Sequence, residues 1–237
     1  MPQLTDKTAL ITGAAGNLGR TVAQTYAKAG ANLILVDLKA ESLQETQAYL
    51  GSDTNCLIIP TDLINPESVA KMNQQALAKW GRIDILANIA GGFTMGPPLH
   101  ETNDRDWNFM MDLNVRTVFN TCRAIIPNML THHSGTIINI AAKAALTGQA
   151  NMGPYCASKA AVITLTETLA AEHLNTGIRI NCVLPSILNT PQNRAAMPDA
   201  NHASWVQPEA LADVILFLAS NMSRSVTGAA LPVYGQS

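Results

Sequence analysis

Near the start of the chain an apolar run, "TALIT", breaks at once into "GAAGNLG" and then into the helical pattern "RTVAQTYAKAG". The same alternation recurs through "NLILVD", "CLIIP", "IDILANI", "GTIINIA", "IRINCVLP" and "AALPVY", with helical patterns between them. Strands that alternate with helices need right-handed crossovers, and those crossovers build a parallel sheet covered on both faces. The spacing therefore predicts a single-domain α/β fold over residues 1–237: a doubly wound parallel sheet of about seven strands with helices on both faces. Asn65-Pro66-Glu67 supplies a cap, a first-turn proline and a first-turn acid, while Gly30, Gly51, Gly81 and Gly177 are expected to stop helices. One long helix is expected from Asp104 to Leu130.

Composition excludes several classes of function. With 47% apolar and 14% charged residues the chain is an ordinary globular one, and a net charge of -2 gives no basic footprint for nucleic acid. Its longest apolar runs fall short of the roughly 20 residues a membrane helix needs. The opening "MPQLTDKTALITG" lacks the order of a signal peptide, so a cytoplasmic protein without membrane or nucleic-acid partners is expected. Cys56, Cys122, Cys156 and Cys182 show no CxxC spacing and read as buried free thiols, with no metal site.

The turn after the first strand places Gly13, Gly16 and Gly19 around Asn17 and Leu18, where a helix begins. Glycines there let the backbone approach a pyrophosphate, whose charge the helix N-terminus stabilises. Asp37 closes the second strand, where a carboxylate accepts hydrogen bonds from adenosine ribose hydroxyls and repels a 2'-phosphate. NAD(H) is therefore favoured. Lys39, two residues on, keeps NADP(H) as an alternative.

"YCASK" sets Tyr155 and Lys159 four residues apart, on one face of a helix. A free tyrosine titrates near ~10, and a nearby positive charge lowers that value, which makes Tyr155 a usable proton donor or acceptor.

Together these motifs resemble the short-chain dehydrogenase/reductase family across nearly the whole chain. The resemblance implies a Rossmann-type fold and hydride transfer between nicotinamide and a small-molecule substrate, with Tyr155 as acid/base and Lys159 and Asn114 in support; in the family that asparagine helps a water connect the lysine to solvent. Asn17 stands where the family usually has glycine, and asparagine tolerates left-handed backbone. Asp62 and Leu63 in "PTDL" match the adenine-contacting element, and Asn88, Ala90 and Gly91 in "NIAGG" match a cofactor-side element in which the asparagine also stabilises the sheet. In "NCVLPSILNTP", Pro185, Ile187 and Thr190 are the expected nicotinamide neighbours, with Ser186 replacing a glycine. A short substrate loop is expected at about 185–207, opposite a wall containing Phe93 and Met95. Family members commonly pair through two long helices, which implies a homodimer or homotetramer.

Ala142 occupies the position of the family's serine, thirteen residues before Tyr155. Loss of one oxyanion donor can cost on the order of 10²-fold in rate, so simple carbonyl reduction is expected to be handicapped. A quinonoid dihydropterin accepts hydride without forming an isolated alkoxide. Accordingly "AAKAALTGQANMGPYCASK" and "LPSILNTPQNRAAMPDANHASW" are similar to the dihydropteridine reductase branch. The helix after Tyr155 and "NMSRSVTGAAL" equally resemble 3-oxoacyl-carrier-protein reductases, which implies a carbonyl or hydroxyl substrate instead. A non-catalytic dinucleotide sensor or scaffold is the alternative outside enzymes. Lys143 reads either as positive charge for the cleft or as a solvated strand-end lysine.

Overall fold

The computed structural model describes residues 3–51 and 54–236. Seven strands form its sheet: β1 (Thr8–Thr12), β2 (Asn32–Asp37), β3 (Cys56–Pro60), β4 (Ile85–Asn88), β5 (Gly135–Ile140), β6 (Ile178–Pro185) and β7 (Ala230–Val233). The spatial order is β3-β2-β1-β4-β5-β6-β7, and every pairing is parallel. The order reverses between β1 and β4, the place where a doubly wound sheet opens a crevice beyond its carboxyl ends.

Eight helices connect the strands: α1 (Asn17–Lys28), α2 (Ala40–Ala48), α3 (Pro66–Trp80), α4 (Asp104–Met111), α5 (Thr117–Thr131), α6 (Gly153–Glu172), α7 (Pro191–Ala196) and α8 (Pro208–Ala219). Successive strand side chains point to opposite faces, so each strand feeds two cores. Ala9, Ile11, Leu33 and Leu35 meet Val22 and Tyr26 of α1 and Leu211 and Ile215 of α8. Leu10, Ile34 and Leu86 face the other way, onto Met72 of α3, Ile125 of α5 and Val162 of α6. Both faces are covered, which explains why these strands read as continuous apolar runs.

The punctuation around α3 forms as its residue types dictate. The Asn65 side chain accepts from the N–H groups of Glu67 and Ser68 at 2.9 and 3.3 Å, and Gly81 ends the helix at φ +71°. Two expectations are corrected. The segment from Asp104 is not one continuous helix, because a π-helical turn at Asp112–Arg116 separates α4 from α5. Gly177 does not stop α6, which ends at Glu172; it serves the turn into β6, where a Cβ would lie 2.1 Å from the His133 carbonyl oxygen.

A buried amide chain ties the sheet to two helices. Asn88 and Asn139 are register partners on β4 and β5, and Asn88 donates to the Asn139 Oδ1 at 2.9 Å. Asn139 then donates to Thr166 Oγ1 at 2.9 Å, while Thr121 donates to Asn88 Oδ1 at 2.8 Å. Removing one member leaves buried partners unsatisfied. Asn139→Ala is expected to lower unfolding stability by roughly 2–4 kcal/mol in a urea titration, with Thr166→Val milder because it removes only the end of the chain.

Candidate active site

The turn between β1 and α1 is built around one crowded carbonyl. A Cβ at Gly19 would lie 2.0 Å from the Gly13 oxygen, and a Cβ at Gly13, whose φ is +63°, would lie 2.8 Å from Ala90. Gly16 is roomier and conformationally ordinary at φ −77°. Asn17 is the first residue of α1 and has no left-handed backbone, which corrects the expectation attached to it: the loop accommodates asparagine because the helix starts there. Leu18 packs into the core, and α1 carries no side-chain cap and no first-turn acid. This cradle of small residues ending at an uncapped helix N-terminus fits a pyrophosphate.

Asp37 closes one side of that cradle. Its Oδ2 accepts from the Ala15 N–H at 3.0 Å and its Oδ1 from the Leu38 N–H at 2.8 Å. The carboxylate thus shapes the loop while staying half-buried, and its oxygens keep lone pairs beyond these two bonds. Asp62 is exposed beyond β3, its Oδ1 held in a turn by the Ile64 N–H at 2.9 Å, with Leu63 buried behind it. Thr12, which the sequence did not single out, fixes Ala90 by accepting its N–H at 3.1 Å.

Asn88 belongs to the interior rather than the crevice. Its amide is engaged with Asn139 and Thr121, so its side chain supports the sheet. By contrast, Gly91, Asn114 and Lys159 converge: a Cβ on Gly91 would lie 2.8 Å from Asn114 Oδ1 and 3.2 Å from Lys159 Nζ. Asn114 sits in the π-turn, a feature that re-aims side chains at functional sites. Its Oδ1 accepts from the Gly92 N–H at 2.9 Å, and its Nδ2 donates to the Gly92 carbonyl and to Ser158 Oγ, each at 3.1 Å. Ser158 donates in turn to the Tyr155 carbonyl at 2.8 Å, a link that lay unnoticed inside "YCASK".

Lys159 is buried and donates to the Ile140 carbonyl at 2.8 Å; desolvation pulls its amine down to about 8. Burial pushes the Tyr155 phenol up to about 12, with the neighbouring Cys156 adding to the rise. The expected lowering of Tyr155 by Lys159 is therefore not found: loss of water raises the phenol. The Phe93 ring meets Tyr155 edge-on, with centroids 4.9 Å apart. Ala142 is buried at the start of the turn beyond β5, and its methyl group supplies no hydroxyl.

The segment after β6 is pinned to itself. Pro185 is buried at the strand end, and Ile187 accepts from the Val206 N–H at 3.0 Å. Thr190 Oγ1 caps α7 by accepting from the Asn193 N–H at 3.2 Å. Thr190 also lines a cleft of about 230 Å³ with Asn17, Asn189, Gln207 and Glu209. Asn189 and Gln207, not singled out within the quoted motif and loop, line this cleft and bond each other at 3.2 Å.

Burial of Lys159 has a pH signature. Its folded value lies below its unfolded value of about 10.5, so the unfolded chain binds more protons above pH 8 and stability rises with pH there. Cys56, Cys122 and Cys182, all raised by burial, act in the opposite sense above about pH 9. The stability of the parent chain relative to Lys159→Met is therefore expected to rise as pH goes from 8 to 10, measured by denaturant titration; a pH-independent difference would refute the desolvated amine.

Comparison with known proteins places this geometry. A family model described as short chain dehydrogenase matches residues 7–201. The chain is 35% identical to Oxidoreductase UcpA of Escherichia coli (strain K12), with 96% of this chain and 93% of that protein covered. It is 31% identical to the 3-oxoacyl-[acyl-carrier-protein] reductase FabG of Thermotoga maritima, covering 98% of each. Carveol dehydrogenase from Mycobacterium avium, solved in complex with NAD, superimposes with a TM-score of 0.92 at 29% identity over 99% of this chain and 98% of that one. The chain belongs to the short-chain dehydrogenase family.

Proposed function

We propose that this protein is an NAD(H)-dependent oxidoreductase that moves hydride between nicotinamide and a small organic substrate, with Tyr155 as the acid/base. The observation that carries this reading is the convergence of Gly91, Asn114 and the buried Lys159 amine on one point below Tyr155's helix. A solvated surface pair would not bury its amine. The bound dinucleotide would supply the hydride donor or acceptor. Gly13, Gly16, Asn17 and Gly19 would hold its pyrophosphate, Asp37 its ribose, Asp62 and Leu63 its adenine, and Ala90, Gly91, Pro185, Ile187 and Thr190 its nicotinamide half. The NAD held by the carveol dehydrogenase neighbour supports this cofactor, as does Asp37, which repels a 2'-phosphate.

Tyr155 would give or take the proton at the substrate oxygen or nitrogen. A bound cofactor and substrate complete the site's electrostatics, and Lys159, held on the Ile140 carbonyl, would orient the ribose beside the phenol. A carbonyl or hydroxyl substrate is supported by the likeness to FabG. The second reading, a quinonoid dihydropterin, is favoured by Ala142, because that acceptor needs no serine-like donor. We also propose that the protein is a cytoplasmic homodimer or homotetramer of single-domain chains that associate through residues 104–130 and 155–174. No helix among the described residues is long and apolar enough to cross a membrane.

Tyr155→Phe is expected to lower turnover by about 10²- to 10⁴-fold while leaving NADH binding intact, measured by NADH oxidation across dihydropterin, quinone, diketone and 3-oxoacyl substrates. Tight NADH binding with no turnover of any substrate by the parent protein would point to a sensor instead. Ala142→Ser is expected to raise turnover of simple ketones by on the order of tenfold or more, and no gain on any ketone would remove the lost-oxyanion explanation.

A further inference from the structure

Tyr155 has an aromatic neighbour that its acid/base chemistry does not use. Phe93 meets its ring edge-on, with centroids 4.9 Å apart, yet Phe93 remains 52% exposed. Part of the ring is thus spent on Tyr155, and the rest is open to a molecule that approaches the same phenol. The segment that presents it is fastened at three points. Asn114 grips the Gly92 peptide from both sides, accepting its N–H at 2.9 Å and donating to its carbonyl at 3.1 Å. Four residues on, the Gly96 N–H donates to the Asn151 carbonyl at 2.9 Å. Leu99 then lies over Gly153, the first residue of α6, where a Cβ on the glycine would meet Leu99 Cδ1 at 2.7 Å. Phe93 is therefore placed by the backbone on either side of it rather than by burial of its own side chain.

The two segments that meet here are uncharged. Residues 92–99 and 144–158 contain no Asp, Glu, Lys or Arg, and Met95 and Leu99 are exposed apolar side chains. The flanking charges are engaged: Lys159 is buried on the Ile140 carbonyl, Lys143 lies over the Tyr234 ring, and His100 pairs with Glu101 at 3.3 Å. An aromatic wall gains free energy from apolar surface that it removes from water, and it does not repay a carboxylate for lost hydration.

We propose that Phe93 is a specificity residue that selects neutral ketones or secondary alcohols carrying an apolar chain or ring beside the reacting carbon. This rests on the oxidoreductase reading and deepens it by naming the substrate class.

The probes are methyl alkyl vicinal diketones of increasing chain length and the oxo acids of matching length. The second carbonyl activates the first, which suits a site with Ala142 in place of a hydroxyl. Turnover, as kcat/KM, is read from NADH oxidation, and binding from quenching of NADH fluorescence in the Tyr155→Phe protein, which keeps an aromatic ring against Phe93. For the diketones both are expected to improve about twofold per added methylene, less than full burial would give, because one wall removes only part of a methylene's water. Each diketone is expected to outperform its oxo acid. Phe93→Ala is expected to flatten the dependence on chain length, raising KM most for the longest chain, and Phe93→Leu to keep most of it. Comparing substrates within one variant cancels any shared loss of turnover from a displaced Tyr155. Indifference of the parent protein to chain length, a preference for the oxo acids, no binding of any probe, or a dependence that survives Phe93→Ala would overturn the proposal. Chain-dependent binding that Phe93→Ala abolishes, without turnover of any substrate by the parent protein, would instead sink the oxidoreductase reading and leave the apolar selection standing.

Discussion

A parallel sheet has no choice about where its strands end: all seven carboxyl termini reach the same rim. Residues far apart in the chain are brought together by that constraint alone. Gly13 follows β1, Asp37 closes β2, Asp62 lies beyond β3, Gly91 beyond β4, Ala142 beyond β5, Ser186 beyond β6 and Tyr234 beyond β7. The reversal of strand order between β1 and β4 then parts the crossing helices and leaves room for a ligand. Glycines mark the places where this rim is most crowded, above all at the Gly13 carbonyl, against which α1 packs through Gly19.

Beneath the rim, electrostatics works against itself. Burying an amine disfavours its charge, and burying a phenol disfavours phenolate, so Lys159 and Tyr155 are driven toward a common neutral state. The fold holds Lys159 there by giving its Nζ the Ile140 carbonyl and by packing Gly91 and Asn114 around it. Asn114 in turn reaches the Tyr155 carbonyl through Ser158, which ties the π-turn to the first turns of α6.

Much of this was legible in the amino-acid sequence because it follows from local pattern. The strands announced themselves through apolar runs, α3 through Asn65-Pro66 and Gly81, and the cofactor turn through glycines placed between a strand and a helix. What escaped depends on three-dimensional context. Asn17 was expected to need unusual backbone, but the helix begins a residue earlier than that picture assumes. The break at Asp112–Arg116 left no glycine or proline to betray it. The direction of the Tyr155 shift is set by how much water the folded chain removes, which four-residue spacing does not reveal. Asn88 matched a cofactor-side motif, yet its amide spends its hydrogen bonds on Asn139 and Thr121.

The π-turn also says something about the chain's history and tolerance. A π-turn is equivalent to one extra residue threaded into an otherwise regular helix, and regular helix is the more favourable packing for those backbone groups. Deleting one residue there would let α4 and α5 fuse into regular helix with the flanking faces close to their present phase, because the bulge already absorbs the extra residue. Asn114, inside the turn, would lose its aim at Gly92 and Ser158, while the apolar stripe of α5 would keep its seat on the sheet. The irregularity thus answers to the site and not to the core: a repair of the local backbone would cost Asn114 its partners and leave the packing of α5 in place.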